Sequence, residues 1–264
     1  MEILKFKKET IYKKKRKNHN MNNIISFILL LLFVILFIIS SQKIIDYIKD
    51  SKKNEKVFNE ISKDIEIQEI PEDNNEDNKY KIDFESLKQK NNDTVGFLNV
   101  NGTDIEQVVV KGKDNGYYLY HNFEKQENSS GWIFADYRNK LDGTDKNIII
   151  YGHNMLNNKM FGTLKNILNE EWYSNEENLV IDFITEQEQV KYQVFSVYKI
   201  KNEDYYINTE FKKNEFSEFI KTLKNRSIKD FEIEVTENDS ILTLSTCADN
   251  NKYRIVLHSK KTTD

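Results

Sequence analysis

The chain has 264 residues with one cysteine, one proline and eight glycines, and 43 acidic against 39 basic side chains give a net charge of −4. One cysteine excludes an intrachain disulfide framework and the spacing of a zinc thiolate cluster, so stability must come from an ordinary apolar core. The first 41 residues hold eight Lys or Arg against two Glu, leaving about −10 on the remainder, a surface that does not favour nucleic acid or anionic lipid.

Residues 1–23 read as a basic cytoplasmic tail. "IISFILLLLFVILFIIS", Ile24 to Ser40, has no charge, and its 17 residues cover about 26 Å at helical rise, enough to cross a bilayer. The flanking basic bias puts the N-terminus inside, so residues 24–41 read as a single-pass anchor and everything after them as extracellular. No small-x-small cleavage site follows, which argues against a removed signal peptide.

Residues 42–79 form the expected stalk and linker. Ile45, Tyr47, Ile48, Val57, Phe58 and Ile61 recur at helical spacing, predicting helix from Lys43 to about Ile67. "PEDNNEDNKY", residues 71–80, has little that can be buried and reads as linker.

A folded domain is expected over residues 80–264. It opens on a short helix in "DFESLKQKN" and a hairpin turning at Asn101-Gly102. Further strands are predicted at Tyr117–Tyr120, Gly131–Ala135, Asn147–Tyr151, Leu179–Ile184, Val190–Ile200, Phe231–Val235, Ile241–Cys247 and Tyr253–His258. Two helices interrupt them, "NKMFGTLKNILNEEW" and "NEFSEFIKTLKNR". Strands not each followed by a helix argue against a doubly wound sheet and for a closed or nearly closed β-barrel with helical insertions.

The lone Cys247 ends the strand "ILTLSTC" and is either buried and inert, paired with another chain, or a reactive thiol. A thiol of ordinary pKa near 8.5 needs a partner to act as a thiolate at neutral pH, and histidine suits that role. His153, after the apolar strand "NIIIYGH", is favoured by position, with His121 and His258 as alternatives. Arg254 suits an oxyanion and lies six intervening residues from Cys247, so a tight connection would bring the two together. Asp136, in "FADYRN", reads as a structural surface or turn carboxylate, while Tyr151 and Met155 fit either peptide contact or core. No phosphate loop or metal cluster is present in the sequence, and no cofactor is expected.

"YGHNM" (151–155), "TLSTC" (243–247) and "YRIVLH" around Arg254 together resemble the sortases, membrane-anchored cysteine transpeptidases of Gram-positive surfaces. "WIFADYRN" and "KMFGTLKNIL" are similar to the class B branch. The likeness runs from about Tyr80 to Lys260. It implies an eight-stranded barrel, mainly β, with N-terminal helices and an inserted long helix, which "NEFSEFIKTLKNR" would supply. It also implies His153, nucleophile Cys247 and Arg254 as catalytic residues. The implied substrates are secreted proteins ending in a sorting motif, often Asn-Pro-x-Thr, cut after Thr and joined to an amine of a peptidoglycan cross-bridge, its lipid-linked precursor or another protein. The stretch between Cys247 and Arg254 is shorter than class B members often have. A membrane-tethered cysteine protease and a non-catalytic peptide-binding module are the competing expectations.

Overall fold

The computed structural model describes residues 2–67, 79–248 and 252–262. Most of the expected linker, residues 71–78, lies outside them. The chain forms two compact units, Met1–Lys49 and Asp50–Asp264.

Helix α1 covers Glu2–Ile61, and its apolar stretch is exposed and long enough to cross a membrane. Within the second unit, α1 buries Val57 and Ile61. Helix is not continued to Ile67. A 3-10 turn at Ser62–Asp64 ends it, and β1 (Ile65–Ile67) pairs antiparallel with β2 (Tyr80–Ile82). Helix α2 (Phe84–Lys90) follows, its first turn capped by Asp83, whose carboxylate accepts from the Ser86 amide at 2.9 Å.

The body is a closed eight-stranded barrel. In chain order its strands are β3 (Thr94–Val100), β4 (Ile105–Val110), β5 (Phe134–Ala135), β6 (Asn147–Gly152), β7 (Val180–Ile184), β8 (Gln189–Lys201), β9 (Ile241–Ala248) and β10 (Tyr253–Lys261). Around the barrel the order is β10-β8-β7-β3-β4-β5-β6-β9. Six pairings are antiparallel, and two, β4 with β5 and β6 with β9, are parallel. The expected hairpin turn between β3 and β4 is present, with Gly102 at φ +69°.

Helix α3 is one turn, Glu170–Tyr173, and α4 spans Glu215–Arg226. Phe216, Phe219, Ile220 and Leu223 make the buried stripe of α4 and pack on Phe195, Tyr198, Ile241 and Val256 of the barrel wall. Glu215 and Glu218 sit in its first turn and Lys224 and Arg226 in its last, each matched to the helix dipole.

Four predicted elements take another form. Tyr117–Leu119 is a 3-10 turn, because the Asp114 carboxylate accepts from the amides of Gly116 and Tyr117 and folds the chain locally. Strand begins only at Phe134, since Gly131 sits at φ +56°. Phe231–Val235 does not join the sheet, and Glu232 at φ +60° breaks its pleat. The predicted helix around residues 158–172 is a series of turns, a 3-10 segment (Leu164–Leu168) and α3. Asn158 and Met160 hold positive φ at its start. Asparagine thus takes some left-handed positions that the eight glycines leave unfilled.

Candidate active site

The parallel pairing of β6 with β9 aligns Tyr151 with Ser245 and Gly152 with Thr246. His153 therefore leaves β6 beside the end of β9. The antiparallel pairing of β9 with β10 sets Cys247 directly opposite Arg254, and opposed residues in such pairs lie about 4.5–5.5 Å apart between Cα atoms. The strand ends at Ala248 and Tyr253 leave a short connection, of which residues 249–251 fall outside those described.

A cleft of about 300 Å³ opens at this end of the barrel, lined by His153, Tyr151, Ser245, Thr246 and Arg254 among others. Asn202, Glu203, Asp204, Tyr206 and Ile207 supply a further part of its wall. Gly152 is fixed by close approach: a Cβ there would meet the Phe161 ring at 2.7 Å, while its carbonyl accepts from the Thr246 hydroxyl at 2.6 Å. That bond ties the residue before His153 to the residue before Cys247.

His153 Nε2 lies 2.8 Å from the Leu119 carbonyl. A carbonyl only accepts, so Nε2 carries hydrogen and Nδ1 is the nitrogen left to exchange a proton. Arg254 is half-buried, and its Nη1 donates to the Tyr253 carbonyl at 3.1 Å.

The other two histidines of the second unit fall elsewhere. His121 stacks on Tyr117, with ring centroids 4.0 Å apart, and its Nδ1 contacts the Tyr117 carbonyl. His258 is fully buried between Tyr198 and Thr243. Neither lines the cleft.

Asp136 is structural, as the sequence suggests, but it is buried rather than a surface carboxylate. Its oxygens accept from Arg138 Nε at 2.8 Å and Nη2 at 2.7 Å, from Asn115 Nδ2 at 2.9 Å and from the Tyr151 hydroxyl at 2.9 Å. Burial opposes its charge, yet the Arg138 fork together with Asn115 and Tyr151 outweighs that penalty and holds the carboxyl below the usual range. Burial, followed by the Asp136 charge, pushes the Tyr151 phenol up. Tyr151 is thus a neutral hydrogen-bond donor fixed in the cleft wall. Met155 is buried on the other side, in a small cavity against α1 residues Asn54 and Phe58.

Asn115, Leu119 and the wall residues Tyr206 and Ile207 are among the cleft components that sequence reasoning missed. "YYIN", residues 205–208, was a usable signal, being an aromatic-rich stretch between a long strand and an amphipathic helix.

The sortase domain profile matches residues 98–262. The chain is 38% identical over 167 residues to sortase B of Staphylococcus aureus, covering 63% of this chain and 68% of that one. It is 35% identical over 191 residues to sortase B of Listeria monocytogenes, covering 69% and 74%. Among solved structures, Clostridium perfringens sortase B superposes with a TM-score of 0.64 at 36% identity, over 68% of this chain and 99% of that one. Bacillus anthracis sortase B gives 0.70 at 32% identity, over 82% and 100%. The chain belongs to the sortase family, within class B, the cysteine transpeptidases that anchor proteins at Gram-positive surfaces.

Proposed function

We propose that this sortase cleaves a C-terminal sorting motif after threonine and joins the new carboxyl end to an amine of the cell wall or of a second protein. Cys247 is the nucleophile, His153 the proton carrier and Arg254 the oxyanion partner. The observation that supports this reading is the register: β6, β9 and β10 are successive neighbours, Cys247 is the backbone partner of Arg254, and His153 and Arg254 line one cleft.

The Cys247 thiolate attacks the threonine carbonyl carbon, and Arg254 faces the negative charge that develops on oxygen. The carbon–nitrogen bond breaks as the imidazolium of His153 gives its Nδ1 proton to the departing amine, leaving a thioester. An incoming amine then attacks that carbonyl and passes a proton to His153 as the thiolate leaves. Through both steps Leu119 keeps Nε2 protonated and the ring in one orientation. The apolar helix of α1 serves as the anchor, with the basic tail inside and the barrel outside, on the side where secreted precursors and acceptor amines are found.

The test uses residues 50–262 with sorting pentapeptides of the Asn-Pro-x-Thr type and variants, with and without a short amine acceptor. Cleavage after Thr with a transfer product, abolished in Cys247→Ala, His153→Ala and Arg254→Ala, is the expected result. Hydrolysis that never yields transfer product makes the chain a protease. Peptide binding with no thioester, unaffected by Cys247→Ala, overturns the catalytic reading.

A further inference from the structure

His258 is a buried titratable group that the chemistry above does not use, and it sits in the middle of a directed hydrogen-bond chain. The Thr243 hydroxyl donates to Asn147 Oδ1 at 2.7 Å, which spends its one proton. Thr243 must then accept from His258 Nδ1, 2.8 Å away, so Nδ1 carries the hydrogen and Nε2 the lone pair. Tyr198 donates its hydroxyl proton to Nε2 at 2.8 Å and accepts from the Tyr205 hydroxyl at 2.9 Å. Every proton in the chain has one direction.

Both ends of this chain grip the same segment. At one end is Tyr205 itself, its ring under the Arg226 guanidinium at 4.4 Å. At the other, Asn147 Nδ2 donates to the carbonyls of Asn208 at 2.8 Å and Tyr206 at 3.3 Å. The Tyr206 hydroxyl meets Ser245 Oγ at 2.8 Å, two residues before Cys247, and Arg138 Nη2 reaches the Ile207 carbonyl at 2.8 Å. Asn202, Glu203, Asp204, Tyr206 and Ile207 line the same cleft as His153. Strands β6, β8, β9 and β10 each contribute one link, Asn147, Tyr198, Thr243 and His258.

We infer that the chain Tyr205–Tyr198–His258–Thr243–Asn147, buried from Tyr198 onward, is a positioning device that holds segment 202–208 as a preformed wall of the substrate cleft. A polar chain beside the apolar stripe of α4 fixes one geometry, since any slippage of the wall leaves a buried donor or acceptor unpaired. A wall held in place before substrate arrives spares the ordering cost on binding, which appears in KM. The role in catalysis rests on the proposed function, whereas the holding of the wall does not.

The variants are Tyr198→Phe and Thr243→Val, which each remove one hydroxyl, with Thr243→Ser as the conservative control. Two readouts are taken on residues 50–262: amide hydrogen exchange, and peptide kinetics resolved into kcat and KM. The expected result is exchange in 202–208 faster by about tenfold with the strands unchanged, KM raised by about the same factor and kcat nearly kept, and recovery in Thr243→Ser. Unchanged exchange in 202–208, or exchange raised evenly across the barrel with KM unmoved, overturns the inference. If no peptide is turned over even by the parent protein, the proposed chemistry falls while hydrogen exchange still decides whether the chain holds the wall.

Discussion

His258 is surrounded by Phe195, Tyr198 and Tyr206 rings and the Thr243 hydroxyl, contributed by β8, the turn after it and β9. Burial depresses its pKa from the ordinary 6.5 to about 3. The folded state therefore keeps it neutral where the unfolded chain takes up a proton. Stability from this residue is complete above about pH 6.5 and is lost as pH falls toward 3, by about 1.4 kcal/mol per unit. Urea unfolding at pH 7 and pH 5 is expected to differ by about 2 kcal/mol from this group alone, and His258→Gln should flatten that dependence while lowering stability at pH 7. An equally steep dependence in His258→Gln would assign the effect to other groups. This residue also shows what sequence cannot separate: His121, His153 and His258 all lie in or beside apolar runs, and only the three-dimensional register sends one to a cleft and another to a closed interior.

At the scale of elements, α4 was legible because its four apolar residues fall on one helical stripe that nothing else in the local sequence contradicts. Leu223 is fully buried there, and its carbonyl accepts from Ser196 Oγ at 2.8 Å. Leu223→Ala should cost about 2–5 kcal/mol, read as a drop in urea midpoint without a change in slope. A loss below 1 kcal/mol, an order-of-magnitude threshold, would mean that α4 is not part of the cooperative core. Residues 158–172 misled the same reasoning because Leu164 and Ile167 are three apart, a spacing that a 3-10 turn satisfies as well as an α-helix. The hydrogen bonds there run from Leu164 to Phe161 and from Asn166 to Thr163, three residues back. Strand β6 was legible from its apolar run, and β8, β9 and β10 from apolar residues alternating with polar ones. Phe134–Ala135 was hard to delimit, since two residues carry no period. The Asp136 hub was invisible because its partners, Asn115 and Tyr151, are remote in sequence and chemically ordinary.

For the molecule as a whole, the last turns of α1 belong to the folded domain. The Asp50 carboxylate accepts from the Ser129 amide at 2.8 Å and hydroxyl at 2.7 Å, Asn54 Nδ2 donates to the Gly131 carbonyl at 3.1 Å, and Asn157 Nδ2 donates to Ser51 Oγ at 2.6 Å. These contacts reach two loops, one leading into β5 and the other following His153. A protein beginning at Ser62 should therefore melt roughly 10 °C below one beginning at Asp50, since burying Val57 and Ile61 alone is worth about 3–6 kcal/mol. Equal melting temperatures would show that this part of α1 is dispensable to the barrel.

The parallel pairing of β6 with β9 has a kinetic side. Tyr151 and Ser245 are register partners although nearly a hundred residues separate them, and β10 must then seal β9 to β8. Contacts of such long sequence separation form late, after the loop-closure entropy of everything between has been overcome. Until the last two strands are made and docked, β6 and β8 remain open edges and the cleft lacks the wall that Ser245, Thr246 and Arg254 supply. In a nascent chain of this protein the cleft is thus incomplete, and it comes into being in the same step that closes the barrel.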